Sequence, residues 1–169
     1  FDASLYLTNG KILKQIDIES EQIVNISLPV GNDDIWPHLH TTDMEIDANG
    51  VFYFTGQAAL NNDSVGCHIS SYQLESNKLT QKYAKGWTWM CCAMMNNPGL
   101  FISKTGVLYL ASFYQMSIEV YNKNGDFLID CDTRTSGFEE TRPIDLVSYK
   151  RKIYVADHFN SQIHVFKQN

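Results

Sequence analysis

The stretch Tyr154-Val155-Ala156-Asp157-His158-Phe159-Asn160-Ser161-Gln162-Ile163-His164-Val165-Phe166 decides how the rest of the chain is read. A β-prone run ends in an Ala-Asp corner, a small polar turn carries an asparagine, and a second alternating run follows. Earlier stretches say nearly the same thing. Tyr109-Leu110-Ala111-Ser112 leads to Ile118-Glu119-Val120-Tyr121, and Tyr53-Phe54-Thr55-Gly56 leads, across an insertion, to Ile69-Ser70-Ser71-Tyr72. Leu5-Tyr6-Leu7-Thr8-Asn9 leads to Ile12-Leu13-Lys14-Gln15-Ile16. From Tyr6 the tyrosines recur after 47, 56 and 45 residues, at Tyr53, Tyr109 and Tyr154. A repeat of that period, holding several short strands, predicts the blades of an all-β propeller.

Working outward, each repeat resolves into the same strand set. In the second, strands are predicted over 43–47, 51–55, 68–74 and 79–84, with Ala48-Asn49-Gly50 and Ser76-Asn77-Lys78 as turns. The third runs 100–103, 107–111, 117–121 and 127–130, and the fourth 145–148, 152–156 and 162–166. Helix-period patterning is absent. The expected division is a single domain of four four-stranded repeats, about 1–31, 32–86, 87–134 and 135–169, the first and last incomplete. Phe1-Asp2-Ala3 reads as the end of an inner strand and the fourth repeat has no outer one, so the expectation is an arc of a larger ring. A ring completed by further copies or by the remainder of a longer chain is the second form of that expectation, and a closed four-bladed ring ranks below both.

The bulk numbers bound the function. With 169 residues, 44% hydrophobic and 19% charged, the chain can bury a real core. A net charge of −6 argues against a nucleic-acid partner, which needs a basic face. No apolar run of about eighteen residues occurs, so no membrane-spanning helix is expected. The sequence opens at Phe1 with neither an initiator Met nor a signal-like apolar region, which reads as a processed chain or part of a longer one. Asn25-Ile26-Ser27 and Asn62-Asp63-Ser64 fit the N-glycosylation pattern and tilt the expectation toward an extracellular or secretory glycoprotein, with the cytoplasm as the alternative.

The residues Arg142-Pro143-Ile144-Asp145-Leu146-Val147 followed by Tyr154 to Phe166 resemble an NHL repeat. Asn97-Pro98-Gly99-Leu100-Phe101-Ile102 with Gly106-Val107-Leu108-Tyr109-Leu110-Ala111 is a looser match. The resemblance implies a propeller of four-stranded blades, in which Asp157 and Asn160 hold the corner between strands as Asx residues do. It is specific for fold and not for activity.

The short turns all fall on one predicted face and the long connections, 29–42, 57–66, 85–97 and 133–141, on the other. Long connections without structure of their own tend to carry function. That face is therefore the candidate binding surface, with Trp36, His38, His40, Trp87, Trp89, Met90 and Arg142 as its residues. Tryptophan at an edge suits a protein or glycan ligand, and suits equally a plug over the mouth of the propeller. His38 and His40, two apart, could share one side of an extended strand and meet a metal, although no further ligand follows by spacing. The adjacent Cys91 and Cys92 suggest a vicinal disulfide, or one buried cysteine and one that pairs elsewhere or is free.

No Gly-x-Ser-x-Gly elbow, His-Glu-x-x-His helix or phosphate loop is present, so no catalytic residue and no cofactor is assigned. The expected role is a non-enzymatic binding or scaffold propeller. The alternative comes from resemblance to the gluconolactonase/senescence-marker propellers, which imply a divalent metal in the central channel and hydrolase or lactonase activity. Asn97 and Asp145 lie near comparable inner-strand positions, but Pro98 follows the Asn where that family has Gly, and no channel Glu is obvious.

Overall fold

The computed structural model describes residues 4–8, 12–27, 40–61, 64–75, 78–87, 99–113, 115–132 and 141–167. Within them every regular element is a strand. Blade one holds β1 (Ser4–Thr8), β2 (Ile12–Asp17) and β3 (Ile23–Ser27). Blade two holds β4 (His40–Ile46), β5 (Val51–Asn61), β6 (Ser64–Glu75) and β7 (Lys78–Trp87). Blade three holds β8 (Leu100–Ile102), β9 (Leu108–Ser112), β10 (Ser117–Tyr121) and β11 (Phe127–Asp132). Blade four holds β12 (Pro143–Tyr149), β13 (Lys152–Asp157) and β14 (Gln162–Lys167). Each blade is a separate antiparallel sheet in simple sequence order.

The turns of the short-loop face follow from one device. Asp17 Oδ1 accepts the Glu19 and Ser20 amides at 3.0 and 2.7 Å, and Asp47 Oδ1 accepts those of Asn49 and Val51 at 2.8 and 2.9 Å. Asn122 does the same for Asn124 and Asp126, and the Ser103 hydroxyl for Val107. These Asx and Ser turns fix where each strand reverses. The β12–β13 turn differs. Its two central residues, Lys150 and Arg151, both have positive φ (48° and 60°), in a two-residue hairpin that favours Asn-Gly.

One sequence expectation is corrected. The sequence predicts long loops over 57–66 and 85–97, of which 62–63 and 88–97 lie outside the described residues. Instead β5 and β6 run on as a ladder, pairing Gln57 with Cys67 and Ala59 with Val65, and β7 extends to Trp87, opposite Cys67. Ala and Asn are poor strand formers, but a ladder already anchored by Phe52, Phe54 and Ile69 carries them along.

Packing runs from blade to blade. Leu13, Ile26, Phe52, Phe54 and Tyr72 join blades one and two. Tyr53 and Ile69 of blade two meet Leu100, Ile102, Leu108, Leu110 and Tyr121 of blade three. Ala111 and Ile118 of blade three meet Leu146 and Val155 of blade four, with Phe101, Tyr109, Ile153 and Phe166 at the margin. The period-2 alternation of each strand therefore serves two interfaces, one per face. In blade four the row Val147, Tyr154, Val165 takes the register of Phe101, Tyr109, Val120 in blade three. No described blade covers it: Val147, Val165 and the adjacent Ile163 are 52%, 47% and 68% exposed.

Inner strands also touch through the backbone. The Gly99 amide donates to the Ile144 carbonyl at 3.1 Å, so β8 and β12 come very close. A Cβ at Gly99 would lie 2.5 Å from Asp145 Cα, which makes glycine obligatory there.

Candidate functional site

Where β9 meets β10 and β13 meets β14, the described part of the long-loop face is organised by one carboxylate. Asp157 is buried at the end of β13. Its Oδ1 accepts the amides of Arg142, Phe159 and Asn160 at 3.0, 3.0 and 3.3 Å. Its Oδ2 accepts the Asn160 side-chain amide at 2.7 Å and His164 Nε2 at 2.9 Å. Burial opposes ionisation of Asp157, but the Arg142 amide, His164 and Asn160 outweigh it and hold the carboxyl well below the usual range. The corner role expected of Asp157 and Asn160 is what the geometry shows.

That anchoring places a small cluster of aromatic and cationic side chains. The Arg142 guanidinium lies 5.4 Å above the centre of the Phe113 ring and donates from Nη1 to the Phe113 carbonyl at 3.3 Å. The His158 ring stands 5.9 Å from Phe113, and the His158 amide donates to the Arg142 carbonyl at 3.0 Å. Phe159, next in the turn, is 61% exposed. A cation stacked on an aromatic, beside a second solvent-facing ring, suits a ligand offering both apolar and polar edges.

A second group lines the inner strands. Asp43 and Asp145 each follow a bulge, in β4 and β12 respectively. Asp43 Oδ1 accepts the Met44 amide at 2.8 Å and Oδ2 the Leu100 amide at 2.7 Å, tying blade two to blade three. Asp145 Oδ1 accepts the Leu146 amide at 2.8 Å. Half-buried Glu45 has its carboxyl pushed up to about 7, by burial first and then by the negative charges of Asp43 and Asp145.

Both oxygens of Asp43 and one of Asp145 already hold backbone amides, and no cluster of three ligating side chains forms among the described residues. Asp145, a weak metal candidate from the sequence, lies beside Gly99, whose amide donates to the Ile144 carbonyl.

Of the other sequence candidates, Trp36, His38, Asn62, Trp89, Met90, Cys91, Cys92 and Asn97 lie outside the described residues. His40 opens β4 opposite Gln57, and Trp87 closes β7 opposite Cys67. Asn25 is exposed on β3. Among the described residues no disulfide forms, and Cys131 is a free, exposed thiol. Sequence reasoning named Arg142 but missed Phe113, His158 and Phe159. The signal was available: His158 and Phe159 occupy the two variable positions between Asp157 and Asn160, which a corner must push outward.

No protein-family model and no curated protein matches the sequence. Solved structures do. A protein from Lactobacillus plantarum superposes with a TM-score of 0.55 at 12% identity, over 96% of this chain and 50% of its own. A protein of unknown function from Bacteroides caccae gives 0.54 at 10%, over 97% and 57%. Virginiamycin B lyase from Staphylococcus aureus gives 0.52 at 13%, over 97% and 52%. The fold is propeller-like. At these identities the likeness concerns fold alone, and the chain spans about half the length of the structures it matches.

Proposed function

We propose that the protein is a non-enzymatic binding propeller of NHL-like blades whose long-loop face holds a protein or glycan ligand. The observation that carries this reading is the Arg142–Phe113 stack with His158 and exposed Phe159, fixed from beneath by buried Asp157. An aromatic surface held in place loses little conformational freedom on binding, which is what favours recognition over mere packing. Glycan-array and displayed-peptide selections on the wild type, repeated with Phe159→Ala and Arg142→Ala, test it. Ligands kept by the wild type and lost by both variants support the site; ligands indifferent to both overturn it. An extracellular setting goes with this reading, and a mass decrease of the native protein on enzymatic deglycosylation, mapped to Asn25 or Asn62, tests that separately.

A further inference from the structure

The short-loop face, on the other side of the molecule from the Arg142–Phe113 cluster, is divided by charge. Its turns in blades one and two, at 17–22 and 47–51, carry Asp17, Glu19, Glu21 and Asp47 and no cation. Its turns in blades three and four, at 103–107, 122–126 and 149–152, carry Lys104, Lys123, Lys150, Arg151 and Lys152 against one carboxylate, Asp126. Glu75 and Lys78 stand opposite each other in the β6–β7 ladder and offset one another. Glu19, Glu21 and all five of those cations are exposed, and among the described residues none of them forms an ion pair. The cations also adjoin. The bond from the Gly99 amide to the Ile144 carbonyl sets β8 beside β12, and a Cβ at Gly106 would come 3.3 Å from Lys123 Cβ.

The backbone singles out the two ends of this face. Each of the five turns contains positive φ. In blades two and three glycine takes it, with Gly50 at 74°, Gly106 at 81° and Gly125 at 74°. In blade one Glu21 takes it at 57°, and in blade four Lys150 and Arg151 take it at 48° and 60°. Glycine enters this region freely, whereas a residue with a Cβ is strained there. Charges of opposite sign are thus held, against backbone preference, at two turns of one face. Strain retained at an exposed turn points to a role for the side chain that it carries.

We propose that the short-loop face binds a second copy of this chain about a two-fold axis, with the Glu19–Glu21 turn of each copy on the Lys150–Lys152 turn of the other. One axis is enough. Lying in the plane of the face, midway between the two turns and perpendicular to the line that joins them, it lays the face on itself and exchanges the turns. Both contacts then form together and the assembly closes at two. Screening confines the attraction to about 8 Å at physiological salt, so the charges act as a register for close contact. The same register keeps like-charged turns apart. The long-loop face stays open in such a dimer, so this inference is independent of the ligand reading.

Sedimentation velocity of the native full-length protein over a dilution series tests it. The protein should dimerise at low salt, with a dissociation constant that rises about tenfold or more between roughly 50 and 500 mM NaCl. Glu19→Lys/Glu21→Lys and Lys150→Glu/Arg151→Glu, both at exposed turns, should each be monomeric, because each sets like charges against like. Mixed in equal amounts, the two variants should associate again as a heterodimer, which a misfolded variant could not do. A wild type that stays monomeric overturns the proposal, as does a dimer that either variant retains, or a mixture that stays monomeric. A monomeric wild type that immobilised heparin retains through Lys150 and Arg151 also overturns it, and makes the cationic turns a polyanion site instead.

Discussion

Replacing Glu45 by Gln should change how stability depends on pH and little else. In the folded protein the Glu45 carboxyl is raised from its usual 4.5 to about 7, because burial and the charges of Asp43 and Asp145 disfavour ionisation. A raised carboxyl stabilises the fold fully below the unfolded value, and the stabilisation is lost as pH climbs through the folded one. The window is therefore about pH 4.5 to 7. A shift of that size corresponds to at most about 3.4 kcal/mol. Glu45 is only half-buried, and solvent screening reduces the expected effect to about 1–2 kcal/mol. Urea denaturation at pH 5, 6, 7 and 8, followed by far-UV circular dichroism, measures it. Wild type and Glu45→Gln should be similar at pH 5, and the variant more stable by about 1–2 kcal/mol at pH 8. An unchanged difference between the two proteins from pH 5 to 8 would refute the account of the inner-strand carboxylates.

Asp157→Ala removes the acceptor of bonds from Arg142, Phe159, Asn160 and His164, and should destabilise by about 3 kcal/mol or more in thermal unfolding. Because the Asp157 carboxyl is held low, its contribution is full above the ordinary carboxylate range and lost as pH falls below it, so wild type should lose more stability than Asp157→Asn between neutral and strongly acid pH. Gly99→Ala forces β8 and β12 apart and should cost about 1–3 kcal/mol in the same assay. Lys150→Asn/Arg151→Gly should stabilise by about 1–2 kcal/mol in the same assay, since both positions have positive φ.

The blade register was legible because the tyrosines Tyr53, Tyr109 and Tyr154 mark one position of the second strand, and each pairs where the repeat predicts. The strand span 117–121 was read to the residue, because Ser117 to Tyr121 alternates between polar turns. The extension of β5 through Ala58 and Ala59 was not legible, since pairing partners rather than local propensity hold it. Glu45 could be seen as acidic but not as raised, because its shift depends on Asp145, far away in the sequence and close only once the blades stack. The Arg142–Phe113 contact is likewise a product of two different corners meeting.

The uncovered face of blade four has a dynamic consequence. Blades two and three are packed on both faces, whereas among the described residues blade four is packed on one, with Val147, Ile163 and Val165 open to water. Stability in a stacked array is the sum of neighbour interfaces, so local opening should be graded along the chain rather than uniform. Amide protons of β5, β6 and β9 should exchange with solvent most slowly, and those of β13 and β14 faster. Anything that settled on Val147 and Val165 would slow the exchange of β13 and β14 in a measurable way, turning the last blade into a reporter of its own neighbour.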